Sequence, residues 1–165
     1  MTGSSNARPP AAQSPVAQII LAFDYGTRRI GVASGNTLTR TAQALTTLDC
    51  PAGSPPWEAI DRVMREYRPA QLVVGLPYNM DGTATLLTEV SRSFARDLLV
   101  RYTLPVALVD ERLSSREAEA QLRDARAHGF KRHRTTRADV DMIAARILLE
   151  RWFEEPGAAV AVSSV

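Results

Sequence analysis

The chain has 165 residues, of which 45% are hydrophobic, and a formal net charge of +2 at pH 7. This length suits one domain with a hydrophobic core, and no apolar run approaches the roughly 20 residues of a membrane span. The N-terminus lacks the apolar segment of a secretory signal, and a single cysteine, Cys50, excludes an internal disulfide. We therefore expect a cytoplasmic protein with no membrane partner.

Short apolar runs and turns predict a β-meander in the first third of the chain. Residues 1–17 are rich in Pro, Ala, Ser and Gln and are expected to form a disordered tail. Strands are predicted at residues 18–24, 30–34 and 41–48, where apolar or threonine-rich runs are separated by short turns. Connections this short imply antiparallel pairing.

The rest of the chain alternates helices with strands, as the spacing of its apolar residues indicates. The predicted elements are a helix at 57–67, a strand at 71–76, a helix at 85–101, a strand at 105–110, and helices at 114–129 and 139–153. Residues 156–165 follow as a C-terminal tail. This order predicts one α/β domain over residues 18–155, with a five-stranded mixed sheet (β-β-β-α-β-α-β-α-α) and helices on both faces.

Acidic residues lie at the ends of two predicted strands and at the start of the last predicted helix. Asp24 and the pair Asp110 and Glu111 directly follow apolar strands, and Asp141 lies in the first turn of the last helix. Ligands gather at the carboxyl ends of parallel strands. Clustered carboxylates repel one another unless a cation joins them, and oxygen ligands suit Mg²⁺ or Mn²⁺. Such ions activate water for phosphodiester cleavage, so these residues predict a metal-dependent nuclease.

Each acid also has a simpler interpretation. Asp24 could end its strand and accept hydrogen bonds from the next turn. Residues 24–27, Asp-Tyr-Gly-Thr, are also typical of phosphate-binding ATPases, but those proteins need a second lobe, for which this chain is too short. Side chains alternate along a strand, so only one of Asp110 and Glu111 can face a cluster. Near the last helix, Asp139 is the predicted N-cap, and Asp141 could merely favour the helix dipole.

A basic segment precedes the last helix. Residues 112–137 contain eight basic and three acidic residues, a net charge of +5 that leaves −3 for the remainder. An ordinary solvated charge run would explain this, but its position beside the predicted metal site favours contact with phosphates. The candidate nucleic-acid-binding residues are Arg112, Arg116, Lys131, Arg132, Arg134 and Arg137, with Asn79 from the loop after the strand at 71–76.

Four motifs resemble, in order, those of one known family. LAFDYGTRRIGVASG (residues 21–35) is similar to the opening strand pair of the ribonuclease-H-like superfamily. VVGLPYNMDGT (73–83), VDERLSSREAE (109–119) and VDMIAARILLE (140–150) resemble further motifs of a bacterial family within it. That family is the pre-16S rRNA nucleases, also described as Holliday-junction-resolvase-like proteins. The resemblance covers about residues 18–155.

This resemblance implies a ribonuclease-H-like fold and a role in maturing the 5′ end of 16S rRNA in the cytoplasm. It implies a divalent-metal site of three carboxylates, Asp24, Glu111 and Asp141, which would be both the catalytic residues and the metal ligands. The expected cofactor is Mg²⁺ or Mn²⁺. The expected partner is structured RNA or branched DNA, bound by a monomer or a weak homodimer. Two other functions stay open, a DNA endonuclease that resolves four-way junctions and a non-catalytic nucleic-acid-binding factor.

Overall fold

The computed structural model describes residues 15–112, 120 and 136–163. Within these ranges lie the strands β1 (Ile19–Tyr25), β2 (Arg29–Asn36), β3 (Thr41–Asp49), β4 (Gln71–Leu76), β5 (Val106–Asp110) and β6 (Val160–Ala161). The helices are α1 (Trp57–Tyr67), α2 (Leu86–Tyr102) and α3 (Arg137–Glu154), with 3₁₀ turns at Pro51–Gly53 and Pro156–Ala158. Apart from residue 120, the helix predicted at residues 114–129 lies outside the described residues. In the described part of the chain, no helix has both the length and the apolar character to cross a membrane.

The strands form one mixed sheet in the order β3-β2-β1-β4-β5-β6. Strands β1, β2 and β3 make the predicted antiparallel meander, whereas β4 is parallel to β1 and β5 is parallel to β4. The carboxyl ends of β1, β4 and β5 therefore share one edge of the sheet. The predicted mixed α/β architecture is confirmed.

The prediction of five strands is wrong, because a sixth strand closes the sheet. After the turn at Pro156–Ala158, the chain returns along the free edge of β5, where β6 pairs antiparallel to it. The backbone N–H of Val162 also donates to the carbonyl of Val106 at 2.9 Å. This pairing satisfies backbone groups that an open edge would leave exposed. Two paired residues within an alanine- and valine-rich stretch are too short a pattern to predict from the sequence alone.

Each face of the sheet carries its own hydrophobic cluster. On one face, Phe23 and Tyr25 of β1 pack in a cluster that includes Phe94 of α2. On the other face, Ile20 and Ala22 belong to a second cluster, built with α3. Because side chains alternate along a strand, the residue after Phe23, which is Asp24, points to the face that α3 covers.

Helix α3 lies unusually close to strand β2 because glycines on β2 leave room for it. A Cβ added at Gly31 would stand 1.9 Å from the backbone oxygen of Asp141, and one at Gly35 would stand 2.8 Å from Leu149 and Phe153 side-chain atoms. On the helix side, Ala145 is fully buried. The helix backbone therefore rests directly on the strand at Gly31.

The start of α3 corrects the prediction that Asp139 is its N-cap. Thr136 is the N-cap, with its hydroxyl oxygen accepting from the Asp139 N–H at 3.2 Å, and Asp139 Oδ2 accepts from the Thr136 N–H at 2.8 Å. This reciprocal capping box satisfies two orphan donors at once. The helix consequently begins at Arg137, and Asp141 is its fifth residue rather than a member of its first turn. Threonine and aspartate both make good N-caps, so residue type alone does not distinguish Thr136 from Asp139.

Replacing Gly31 with alanine should lower the free energy of unfolding, because the added Cβ would force α3 away from the sheet. We expect a loss of about 1–3 kcal/mol, the usual cost of overpacking a core, measured by urea unfolding. Gly157→Ala is the matched control, since no atom of the described residues lies within 4 Å of its added Cβ, and it should change stability by less than about 0.5 kcal/mol. Equal stability of the two variants would contradict the close approach of α3.

Candidate active site

Asp24 and Glu111 come together at the carboxyl edge of the sheet. Asp24 is near the end of β1, one residue beyond Phe23, which lies beside Val74 of β4. The Glu111 N–H donates to the Leu76 carbonyl at 3.0 Å, which extends the β4–β5 ladder by one residue. Glu111 therefore keeps the strand alternation and points to the α3 face, and its carboxyl group is hydrogen-bonded to that of Asp24.

Gly75 makes this contact possible. It follows Val74 in β4 and therefore lies between Asp24 and the end of β5. A Cβ added at Gly75 would stand 1.7 Å from Glu111 Oε1 and 2.5 Å from its Cδ. The Glu111 side chain thus folds back across the bare backbone of β4 to reach Asp24. Any larger residue at this position would occupy the space that the carboxyl group needs.

The environment of both carboxyl groups opposes their ionisation. Burial raises the pKa of Glu111 well above its usual value, and the charges of Asp24 and Asp110 raise it further. Burial also raises the pKa of Asp24, to which the charge of Asp141 adds, although its hydrogen bond with Glu111 acts in the opposite sense. A shift caused by burial together with neighbouring like charges is typical of functional sites.

The chemistry of these oxygens fits a hard divalent cation. Glu111 Oε1 is buried and has no hydrogen-bond partner among the described residues, an arrangement that normally costs folding free energy. A cation placed between the two carboxylates would satisfy that oxygen and offset the mutual repulsion. Among the described residues, however, no three Asp, Glu, His or Cys side chains are already grouped as ligands of one ion. The pair therefore forms an incomplete ligand set that a third carboxylate would complete.

Asp141 stands next to this pair but is engaged elsewhere. Its backbone rests on Gly31, which is the antiparallel partner of Asp24, and its charge is close enough to raise the pKa of Asp24. Its side chain accepts a hydrogen bond from Arg29, with 2.7 Å between Arg29 Nε and Asp141 Oδ2. The fold thus brings Asp24 and Glu111 together and places Asp141 beside them, with the Asp141 side chain in an ion pair with Arg29.

Asp110 lies on the opposite face of the sheet and organises Arg112. Its Oδ2 accepts from Arg112 Nε at 2.8 Å and its Oδ1 from the Arg112 N–H at 3.0 Å. Burial disfavours the charge of Asp110, but these bonds outweigh it and hold its pKa below the usual value. The Arg112 guanidinium also lies over the ring of Tyr78, 6.0 Å from its centroid, and Tyr78 accepts from Arg92 at 2.7 Å. Arg112, a predicted nucleic-acid contact, is therefore held in a fixed direction while remaining partly exposed.

The other predicted nucleic-acid contacts are only partly described. Asn79 is exposed in a loop that closes on itself, since its amide donates to the Thr83 hydroxyl at 2.9 Å and Asp81 accepts from the same residue. Arg137 is exposed at the first position of α3. The remaining predicted contacts lie outside the described residues, and they are Arg116, Lys131, Arg132 and Arg134.

Sequence reasoning missed three residues that shape the site. Arg29 lies in the short turn between the first two predicted strands, and its positive charge five residues after Asp24 is a local signal that could have indicated a role in the site. Gly31 and Gly75 lie inside two of the predicted strands, where the sequence gives them no evident role in the site. Their role is to admit Asp141 and Glu111, and no local pattern reveals which distant side chain a glycine must admit.

Replacing Glu111 with glutamine should stabilise the metal-free protein at pH 8. Because folding raises the pKa of Glu111, this group's contribution is fully present below the pKa of the unfolded chain and is lost as the pH rises through the folded-state pKa. The advantage of Glu111→Gln over the wild type should therefore shrink as the pH falls from 8 to 5. Urea unfolding in EDTA across this range measures it, with the exposed Glu155→Gln as control. A pH-independent difference would argue against a destabilising buried charge.

Comparisons with known proteins identify the family of this chain. A family model described as RuvX, Holliday junction resolvase, matches residues 18–155. A Xylella fastidiosa (strain M23) protein named "Putative pre-16S rRNA nuclease" is 45% identical over 148 residues, covering 89% of this chain and 95% of that protein. A Serratia proteamaculans protein of the same name is 46% identical over 135 residues, covering 82% and 94%.

A solved structure supports the fold. The structure described as T. thermophilus RuvC in complex with Holliday junction substrate matches with a TM-score of 0.51 and 15% identity, covering 88% of this chain and 99% of that one. The prediction of a ribonuclease-H-like fold is thereby confirmed. The motifs, the mixed sheet and the family match over residues 18–155 lead to one conclusion, that this chain belongs to the RuvX family.

Proposed function

We propose that this protein is a divalent-metal-dependent endonuclease that hydrolyses phosphodiester bonds in structured RNA. The observation that carries this proposal is the half-buried pair of Asp24 and Glu111, in which one Glu111 carboxyl oxygen has no partner among the described residues, with Asp141 beside the pair. A structural role alone gives no reason to place two carboxyl groups, whose charged forms repel each other, together in a half-buried position. A role in binding cations explains the arrangement, because a bound cation is attracted to both carboxylates and offsets the repulsion between them.

In this proposal Asp24, Glu111 and Asp141 hold Mg²⁺ or Mn²⁺. When bound, such ions activate water as a nucleophile and stabilise the leaving oxygen of the phosphodiester. The chain's own residues supply three oxygen-bearing side chains from β1, the end of β5 and α3, each fixed by backbone contacts of its element. Fixed ligands lower the reorganisation needed for the reaction. The products would carry a 5′-phosphate and a 3′-hydroxyl.

Arginine side chains around this edge would hold the nucleic-acid backbone. Arg112 is oriented by Asp110 and Tyr78 without losing its exposure, and Arg137 is exposed at the start of the helix that carries Asp141. Guanidinium groups suit bidentate contact with phosphates, and such contacts position a substrate without reading its bases. The same role is proposed for Asn79 and for the basic residues Arg116, Lys131, Arg132 and Arg134.

The proposed substrate is the 5′ leader of pre-16S rRNA. The names of relatives that are about 45% identical over 82–89% of this chain support it. Such a substrate would place the protein in the cytoplasm, where bacterial rRNA is made, as a monomer or weak homodimer. A second candidate is cleavage of four-way DNA junctions, which the description of the family model and the RuvC likeness favour. Both candidates use the same three acids, so the substrate distinguishes them.

Cleavage of labelled pre-16S leader RNA and of a four-way DNA junction, side by side, tests the function. We expect the wild type to cut the RNA with Mn²⁺ or Mg²⁺ and not with EDTA. Asp141→Asn should reduce the rate by on the order of 10²-fold or more, because losing a metal ligand removes several kcal/mol of transition-state stabilisation. The matched control is Asp139→Asn, which changes the same helix two residues away at a capping position.

Each outcome of this experiment decides between the candidates. Asp139→Asn should keep nearly full activity at a temperature where both variants remain folded. Cleavage of the junction alone would replace the RNA substrate with DNA. Binding of both substrates without cleavage of either would favour a non-catalytic nucleic-acid-binding factor. Cleavage that persists in Asp141→Asn would contradict the proposal that the three acids form the active site.

A further inference from the structure

The Arg29–Asp141 ion pair joins the two elements that flank the candidate metal site. Arg29 is the first residue of β2 and Asp141 belongs to α3, 112 residues away in sequence. The distance between Arg29 Nε and Asp141 Oδ2 is 2.7 Å, and both side chains are about three-quarters buried, with exposures of 29% and 27%. This pair is therefore neither a solvated surface contact nor a deeply buried one.

We propose that Arg29 is a positioning residue that competes with the divalent metal for the Asp141 carboxylate. This inference rests on the proposed function, because it assigns to Asp141 the role of third ligand. In the metal-free protein the guanidinium holds the Asp141 side chain in an ion pair, and metal loading requires the carboxylate to exchange this partner for the cation. Arg29 thereby sets the metal concentration at which the site fills.

Competition follows from the charges and from the atoms involved. Arg29 carries a permanent positive charge, since guanidinium does not lose its proton in proteins. It takes up one carboxylate oxygen of Asp141, and it places a positive charge beside the location where a divalent cation must bind. Like charges in a partly buried site disfavour one another more strongly than in water. Removing the guanidinium therefore frees an oxygen and removes a repulsion.

The exchange involves side chains only, because the backbone on both sides is fixed. Arg29 pairs with Asp49 of β3 in the sheet, and its carbonyl accepts from the Gly26 N–H at 2.9 Å. The Asp141 backbone rests on Gly31. Rotation about side-chain bonds is thus the motion left to the pair. Such rotations are fast, so competition should alter metal affinity at equilibrium rather than slow the entry of the metal.

Isothermal titration of Mn²⁺ into the nucleic-acid-free protein at pH 7.5 tests this proposal without using activity as the readout. Arg29→Gln should bind Mn²⁺ about tenfold more tightly than the wild type, which corresponds to about 1.4 kcal/mol. The matched control is Arg28→Gln, which makes the same change of charge at the exposed neighbouring residue and should leave the affinity within about twofold. Structural damage at Arg29 would weaken binding, so tightening separates competition from a merely structural role.

A double-mutant cycle asks whether Arg29 acts through Asp141. In the Asp141→Asn background, Arg29→Gln should tighten binding less than it does in the wild-type background, because the competing ion pair is already absent and only the charge repulsion is left to remove. If Arg29→Gln does not fold, Arg29→Lys replaces it, because lysine keeps the charge but lacks the planar guanidinium group. The Mn²⁺ affinity of Arg29→Lys should lie between that of the wild type and a value ten times tighter. Thermal unfolding with and without Mn²⁺ gives a second readout, in which the metal should raise the Tm of Arg29→Gln more than that of Arg28→Gln.

Two different results would overturn the proposal. Binding by Arg29→Gln that is equal to or weaker than that of Arg28→Gln would mean that Arg29 is neutral or holds Asp141 ready for the metal. That result would leave the proposed function intact, provided that the wild type binds Mn²⁺ and Asp24→Asn does not. If the wild type and Asp24→Asn both fail to bind Mn²⁺, the metal site itself is wrong, and the role of Arg29 falls with it.

Discussion

The contact between the backbone of α3 and strand β2 at Gly31 is the constraint on which the site depends. Gly31 is paired with Asp24 across the two antiparallel strands, so the helix residue that rests on Gly31 necessarily stands beside Asp24. That residue is Asp141. The Thr47 hydroxyl, which donates to the Ala138 carbonyl at 2.7 Å, fixes the same end of the helix to β3. A side chain at Gly31 would move Asp141 away from the site, whatever its own sequence context.

The same edge of the sheet concentrates negative charge that the fold must tolerate. The parallel arrangement of β1, β4 and β5 places Asp24 and Glu111 at the same edge of the sheet. Gly75 lies between them on β4 and has no side chain that would keep their carboxyl groups apart. Hydrophobic burial on both faces of the sheet stabilises the domain against this local cost. A conflict between local electrostatics and overall stability is expected at sites kept for function.

Strand alternation lets two neighbouring acids perform different tasks. Glu111 points to the α3 face and joins Asp24, whereas Asp110 points to the other face and orients Arg112 against Tyr78. The end of β5 therefore contributes both a candidate metal ligand and a directed guanidinium from three consecutive residues. A shift of one residue in the register of β5 would exchange these roles, because it would turn every side chain of the strand to the opposite face.

The sequence by itself predicted most of the described elements and proposed the three acids as the site. The apolar runs predicted α1 and β4 at their observed bounds, because periodicity and flanking turns are local properties. Tertiary structure alone decided that Thr136 caps α3, that Val160–Ala161 completes the sheet, and that the Asp141 side chain turns to Arg29. The physical reason is that these outcomes depend on which groups meet across long sequence separations, and hydrogen bonds and ion pairs between distant residues leave no pattern along the chain.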